Sequence, residues 1–342
     1  MSSHGKFSKE ALLYEKLAGR KTRCLACAHR CVAPAGGAGR CGVRVNEGGV
    51  LMAPWGYISG AAADLVEKKP FFHVLPGSRT LSFGMFGCNL KCDFCQNWEL
   101  SGTGGNSSSP LETTPEDLVR EARARGLGTL VSTYNEPLIT AEWAAGIFTA
   151  AKAGGLRTAF VSNGYATREA AAFLRPCLDF WKVDLKSFNA GRYQAVCGGE
   201  LEKVKTGIET IATAGFWVEA VTLLIPGFND SEEETVEMAA YLAGLSRDIP
   251  WHLTAFHPHH RMTATPPTPP ATLMRAREIA MKKGLRYVYC GTIPNQSGGL
   301  EDTRCPACTA KVVERTGFTV TANRLGREGK CACGQLIPGL WG

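Results

Sequence analysis

No run of apolar residues in this chain approaches the ~20 needed to cross a bilayer, so no membrane span is expected. The opening residues, Met1–Lys6, lack the apolar core of a secretory signal. Neither an internal repeat nor a heptad pattern is present, which argues against solenoids and coiled coils. The excess of positive charge is small, 38 − 31 = +7, and the basic residues are scattered. No basic helix and no basic stretch interleaved with aromatics appears, so nucleic acid is not an expected partner. The charge suits an anionic small molecule or an acidic partner.

Cysteine and glycine, by contrast, are plentiful: 14 and 39 among 342 residues. Thiols at this density, without a secretory signal, read as metal ligands in a reducing cytoplasm and not as disulfides. They fall into groups. Cys24, Cys27, Cys31 and Cys41 form the first, with His29 inside it; Cys88, Cys92 and Cys95 the second; Cys305, Cys308, Cys331 and Cys333 the third. Cys177, Cys197 and Cys290 stand alone.

The central group has the spacing C-x3-C-x2-C, within Phe86-Gly87-Cys88-Asn89-Leu90-Lys91-Cys92-Asp93-Phe94-Cys95. Three thiolates on one loop can hold three irons of a four-iron cluster and leave the fourth open to a ligand that is not protein. The plain alternative is a structural zinc knuckle that borrows a distant fourth ligand.

Around this loop, β-rich runs alternate with helical patterns. Strands are expected at Thr80–Phe86, Thr129–Thr133, Arg157–Ser162, Asp179–Asp184, Phe216–Leu224, Trp251–Phe256 and Arg286–Cys290. Helices are expected at Pro115–Arg125, Ala141–Ala153, Arg168–Leu174, Lys203–Ala214, Glu232–Leu245 and Ala271–Lys283. Such alternation predicts an α/β fold, a partial (β/α) barrel of parallel strands with right-handed crossovers and a ligand site at the strand C-termini. Ser101–Pro110, rich in Gly and Ser, and Thr263–Pro270, with four prolines, read as flexible connections. The expected layout is a Cys-rich module over 1–70, the barrel over 71–300, and a ribbon-like module over 301–342.

The outer groups offer four thiols each. The first suits structural zinc or an auxiliary iron–sulfur cluster, and the residue types alone leave both open. The third pairs Cys305-Pro306-Ala307-Cys308 with Cys331-Ala332-Cys333 around a β-prone run, Gly317–Ala322, and resembles a zinc ribbon. Four histidines, His252, His257, His259 and His260, invite a metal reading that the cysteine groups make unnecessary.

The central motif resembles the radical S-adenosylmethionine (SAM) superfamily, and the chain as a whole resembles the AmmeMemoRadiSam system radical SAM enzyme. The likeness rests on Cys41-Gly42-Val43-Arg44-Val45-Asn46, Cys88–Cys95 with Gln96-Asn97-Trp98, Thr133-Tyr134-Asn135-Glu136-Pro137, Asp184-Leu185-Lys186, Leu223–Asp230, Ala255-Phe256-His257-Pro258 and Ile337–Trp341. The resemblance implies a four-iron, four-sulfide (4Fe-4S) cluster on Cys88, Cys92 and Cys95, and SAM held by Phe94, Glu136, Asn163, Asp184, Lys186 and His257. Where the superfamily usually has Gly-Gly-Glu-Pro, this chain has Tyr134-Asn135-Glu136-Pro137, which puts the backbone part of that contact in question.

The implied activity is reductive cleavage of SAM to a 5′-deoxyadenosyl radical that abstracts hydrogen from a protein or small-molecule substrate, as in glycyl-radical activating enzymes. The implied partners are a reductant such as flavodoxin or ferredoxin, a protein substrate, and the associated Memo-like and AMMECR-like proteins. The competing reading is a non-enzymatic zinc or iron–sulfur regulator that binds nucleic acid or protein.

Overall fold

The computed structural model describes residues 5–102, 109–293 and 299–342. Part of the Gly/Ser-rich connection, 103–108, lies outside the described residues. An eight-stranded sheet organises the chain. Its strands are β1 (Gly60–Leu65), β2 (Arg79–Gly84), β3 (Thr129–Ser132), β4 (Arg157–Ser162), β5 (Phe180–Asp184), β6 (Trp217–Leu224), β7 (Trp251–Ala255) and β8 (Val288–Gly291). They lie side by side in chain order, with β8 at one edge and β1 at the other. From β2 to β8 every neighbouring pair is parallel. The two edge strands do not pair among the described residues, so the sheet is an open, partial barrel.

The crossover helices are α1 (Pro115–Ala124), α2 (Ala141–Ala153), α3 (Arg168–Leu174), α4 (Leu201–Thr213), α5 (Glu232–Leu245) and α6 (Pro270–Lys282). Local chemistry fixes several starts. Thr114 and Asp117 form a reciprocal capping box with Pro115 in the first turn of α1. Thr167 caps α3 by accepting from the Ala170 N–H, and Ser231 caps α5 by accepting from Glu234. Three glutamates follow Ser231 in the first turn of α5, where the helix dipole favours negative charge. The interior is filled by wholly buried side chains such as Trp143, Trp181 and Trp251. Each large apolar side chain removed from water contributes about 1.5–3 kcal/mol.

One strand departs from the sequence reading. The sheet does not start at Thr80: β1 pairs antiparallel with β2 from inside the segment expected to belong to the N-terminal module. Gly60-Ala61-Ala62-Ala63 has little intrinsic strand preference, and backbone pairing with β2 decides its conformation.

The rest of the N-terminal segment folds as short antiparallel pairings, among them Tyr14–Leu17 with Lys21–Cys24 and Ser8–Glu10 with Val50–Pro54. A buried ion pair ties it to the sheet. Both guanidinium ends of Arg44 donate to Glu142 of α2 at 2.7 Å, and Glu142 Oε1 also accepts from the backbone of Leu12 and Leu13. The C-terminal ribbon comprises Thr303–Arg304, Lys311–Thr316 and Thr319–Asn323. It docks through buried Arg315, which donates to the Phe72 carbonyl at 2.7 Å and stacks over the Phe72 ring.

Candidate active site

A cavity of about 310 Å³ opens at the C-terminal ends of the strands. The loop after β2 brings Cys88, Cys92 and Cys95 to its wall, together with Phe94. Glu136 follows β3, Asn163 follows β4, and Asp184 and Lys186 come from the end of β5. Eight of the nine residues expected at the site, all but His257, thus line one space. His257 sits just past β7, exposed, and is not on the cavity wall. Its loop nevertheless touches the cysteine loop: the Arg261 N–H donates to the Asp93 carbonyl at 3.0 Å, and the His260 ring stacks on Trp98.

The cysteine loop is held from several sides. Gly87 has φ +88°, and a Cβ there would come within 2.6 Å of Val43, so this turn requires glycine. Asn135 braces the turn, accepting from the Met85 N–H and donating to the Gly87 carbonyl, each at 3.1 Å. The Lys91 and Asp93 N–H groups donate to the carbonyls of Cys197 and Val196.

The departure at Tyr134 has a structural answer. Tyr134 adopts φ +72°, a left-handed conformation that glycine reaches without strain. Its ring and hydroxyl are anchored by Lys69 and by Asp64, so packing supports the unfavourable backbone.

Glu136 is buried and well satisfied. Its Oε1 accepts from the Leu138 N–H and the Ser162 hydroxyl, and its Oε2 from the Asn163 N–H at 2.7 Å. Burial outweighs these bonds and pushes its pKa up to about 7. Asn163 in turn donates to Asn89 Oδ1 at 2.7 Å, linking β4 to the cysteine loop.

Asp184 accepts from two lysines, Lys182 on one oxygen and Lys186 on the other. Burial alone would raise its pKa, but the two ammonium charges hold it down at about 2. Burial likewise opposes the charge of Lys186, and Asp184 keeps its pKa well above the ordinary lysine value. The Lys186 ammonium also lies 5.7 Å from the Phe94 ring centre. The result is a fixed, ionised Asp–Lys pair beside the thiols.

Two residues at the site were not anticipated from sequence. Lys182 lines the cavity, and alternation along an extended chain puts residues 182, 184 and 186 on one face. That spacing was the available signal. Cys197 is not isolated: its thiol lies against Cys92, and together with the Lys186 charge it holds the Cys92 thiol below its usual pKa, against burial. Nothing in the linear spacing marks Cys197. The fold alone carries it there.

The outer thiols also converge. Cys305, Cys308, Cys331 and Cys333 place their sulfurs within 4.8 Å of one another. Cys24, Cys27, Cys31 and Cys41 line a second, enclosed cavity under the N-terminal strands. His252 is buried, with its Nε2 held against Glu219 at 2.7 Å.

The model of the radical SAM superfamily matches residues 83–239, which hold the end of β2, the cysteine loop and β3 to β6. An uncharacterized protein of Methanocaldococcus jannaschii is 35% identical over 333 residues, 96% of this chain and 98% of that one. The chain belongs to the radical SAM superfamily. Members of this superfamily use a 4Fe-4S cluster and SAM, and three thiols beside buried acid and base groups in one cleft are a donor set that fits both. The pyruvate formate-lyase 1-activating enzyme of Escherichia coli is 22% identical over 234 residues, 63% of this chain and 93% of that enzyme. Among solved structures, a radical SAM methyltransferase from Sphaerobacter thermophilus shares the fold, with a TM-score of 0.50 and 18% identity over 64% of this chain and 68% of that one. No helix among the described residues is long and apolar enough to cross a membrane.

Proposed function

We propose that this radical SAM protein is an enzyme of the AmmeMemoRadiSam system that cleaves SAM reductively at the cavity of Cys88, Cys92 and Cys95. The observation that carries the reading is the convergence of three thiols, Glu136, Asn163, Asp184 and Lys186 on one cleft at the sheet's C-terminal end. Cys88, Cys92 and Cys95 would ligate three irons and leave the fourth open. When bound, the cluster supplies one electron to the SAM sulfonium, which yields methionine and a 5′-deoxyadenosyl radical able to take a hydrogen atom from a substrate.

The chain's own residues set the position of SAM. Glu136, as a carboxylate, accepts from its ammonium, and Lys186 donates to its carboxylate. Asp184, fixed between two lysines, is suited to a ribose hydroxyl. Phe94 offers backbone and ring to the adenine, and Asn163 ties this side of the pocket to the cluster loop. His257 reaches SAM only if its loop closes over the cavity.

A flavodoxin or ferredoxin fits as electron donor. The docked C-terminal ribbon favours a macromolecular substrate, as in glycyl-radical activation, with the Memo-like and AMMECR-like proteins as partners. Anaerobically reconstituted enzyme, given SAM and a low-potential reductant, is expected to release 5′-deoxyadenosine in a reductant-dependent manner. Chromatography with mass detection reads it. A reconstituted protein that releases none would contradict the proposal.

A further inference from the structure

The two outer thiol groups differ in size, and the difference assigns their metals. In the C-terminal quartet, Cys305 and Cys333 sulfurs lie 3.6 Å apart, and Cys308 and Cys331 sulfurs 3.7 Å apart. Four sulfurs at ~2.3 Å from one tetrahedral zinc stand about 3.8 Å from each other. The quartet is therefore already drawn to the dimensions of a single ion.

Among the described residues, this is the sole group of three or more ligand atoms gathered within 4.8 Å. The N-terminal thiols are not gathered in this way, although all four line one enclosed cavity. The chain also carries its own scale. Cys88, Cys92 and Cys95, which on the reading above each hold a different iron, share a cavity without closing to single-ion distance. A cluster spreads its thiolates because each binds its own metal atom.

Unpaired donors supply a second, independent observation. Arg44 is 1% exposed and lines the N-terminal cavity. Its two terminal nitrogens are engaged by Glu142 and the Ile139 carbonyl, yet its Nε–H has no partner. Asn89, also 1% exposed and on the same wall, has no oxygen or nitrogen partner for its Nδ2, only the Cys27 thiol. Buried donors left unpaired are costly, and sulfides or thiolates of a bound cluster would accept from them. His29 is unsuited as a fifth ligand through Nε2, which is engaged by the Asn89 carbonyl at 2.9 Å.

We propose that Cys24, Cys27, Cys31 and Cys41 bind an auxiliary iron–sulfur cluster, and that zinc belongs to Cys305, Cys308, Cys331 and Cys333. The auxiliary site adjoins the SAM site across a single stretch of backbone. Cys88 and Leu90 face the large cavity, while Asn89 between them faces the N-terminal thiols.

The test is metal and acid-labile sulfide analysis of anaerobically reconstituted protein, with Mössbauer spectra, on wild type and two variants. The triple variant Cys88→Ala/Cys92→Ala/Cys95→Ala should lose SAM cleavage yet retain iron and sulfide in equal amounts, beside one zinc equivalent. The variant Cys24→Ser/Cys41→Ser should lose that share of iron and keep the zinc. If the double variant does not fold, the wild type still decides: two distinct clusters in its Mössbauer spectrum support the assignment. An iron-free triple variant holding a second zinc equivalent, or a single cluster in wild type, overturns it. SAM cleavage is read separately, so failure of the auxiliary assignment leaves the reading of the central loop standing.

Discussion

Replacing Cys88 or Cys95 by alanine should bring SAM cleavage down to the level of a protein-free control. Each of these thiols has one place in the cavity and no nearby substitute. The remaining isolated thiols, Cys177 and Cys290, are buried in the core away from the cavity wall. Cys92 is different. Cys197 lies against it, so Cys92→Ala leaves a thiol close to the vacated corner. That variant should retain a residue of cleavage, which Cys92→Ala/Cys197→Ala should remove. 5′-Deoxyadenosine released under strong reductant measures all four variants. Wild-type rates in Cys88→Ala would show that the central loop does not hold the reactive cluster.

Glu136→Gln should weaken SAM binding about ten- to hundredfold. The substitution keeps size and removes one charge-assisted acceptor, worth about 1.5–3 kcal/mol. It also puts an amide nitrogen near the Asn163 N–H or the Ser162 hydroxyl, both of which now donate to the carboxylate. The cluster ligands lie on another loop, so iron content should hardly change.

The raised pKa of Glu136 gives the effect a pH signature. Burial favours its neutral form, with a pKa of about 7. Below that value the carboxyl must release a proton before it can accept from the SAM ammonium. Wild-type affinity should therefore fall as pH drops through 7, by up to about tenfold per unit. The Gln variant should lack this fall. Calorimetric titration with SAM between pH 6 and 8, alongside iron quantification, reads both. Equal affinities and equal pH profiles in the two proteins would remove Glu136 from the SAM site. Asp184→Asn, expected to weaken SAM binding by a similar factor, is the less clean test, since it leaves buried Lys182 without its counter-charge.

The parallel strands and their helices were legible because each central strand is a short apolar run between turn signals, and Thr114, Thr167 and Ser231 announce the helices that follow. Helix α2 falls at Ala141–Ala153 as expected, and α5 at Glu232–Leu245. Strand β1 was not legible. An alanine- and glycine-rich stretch becomes a strand only through its partner. Cavity-lining residues were readable where a motif sits at a strand end, as at Glu136-Pro137 and Asp184-Leu185-Lys186. Lys182 was not, because a lone lysine in a strand usually marks a solvated face and here points into the cleft. Cys197 and Arg44 acquire meaning from three-dimensional neighbours that no linear spacing encodes. The proposed division between zinc and an iron–sulfur cluster rests on distances, since four cysteines read the same in either case.

The central claim is that three thiolates leave one iron free for SAM inside the cavity of Glu136, Asp184 and Lys186. Electron paramagnetic resonance of the reduced, reconstituted enzyme tests it most directly, recorded with and without SAM. A four-iron signal whose g-values shift on adding SAM, in wild type but not in Cys88→Ala, is the predicted result. A reduced cluster whose spectrum is unchanged by saturating SAM would contradict it.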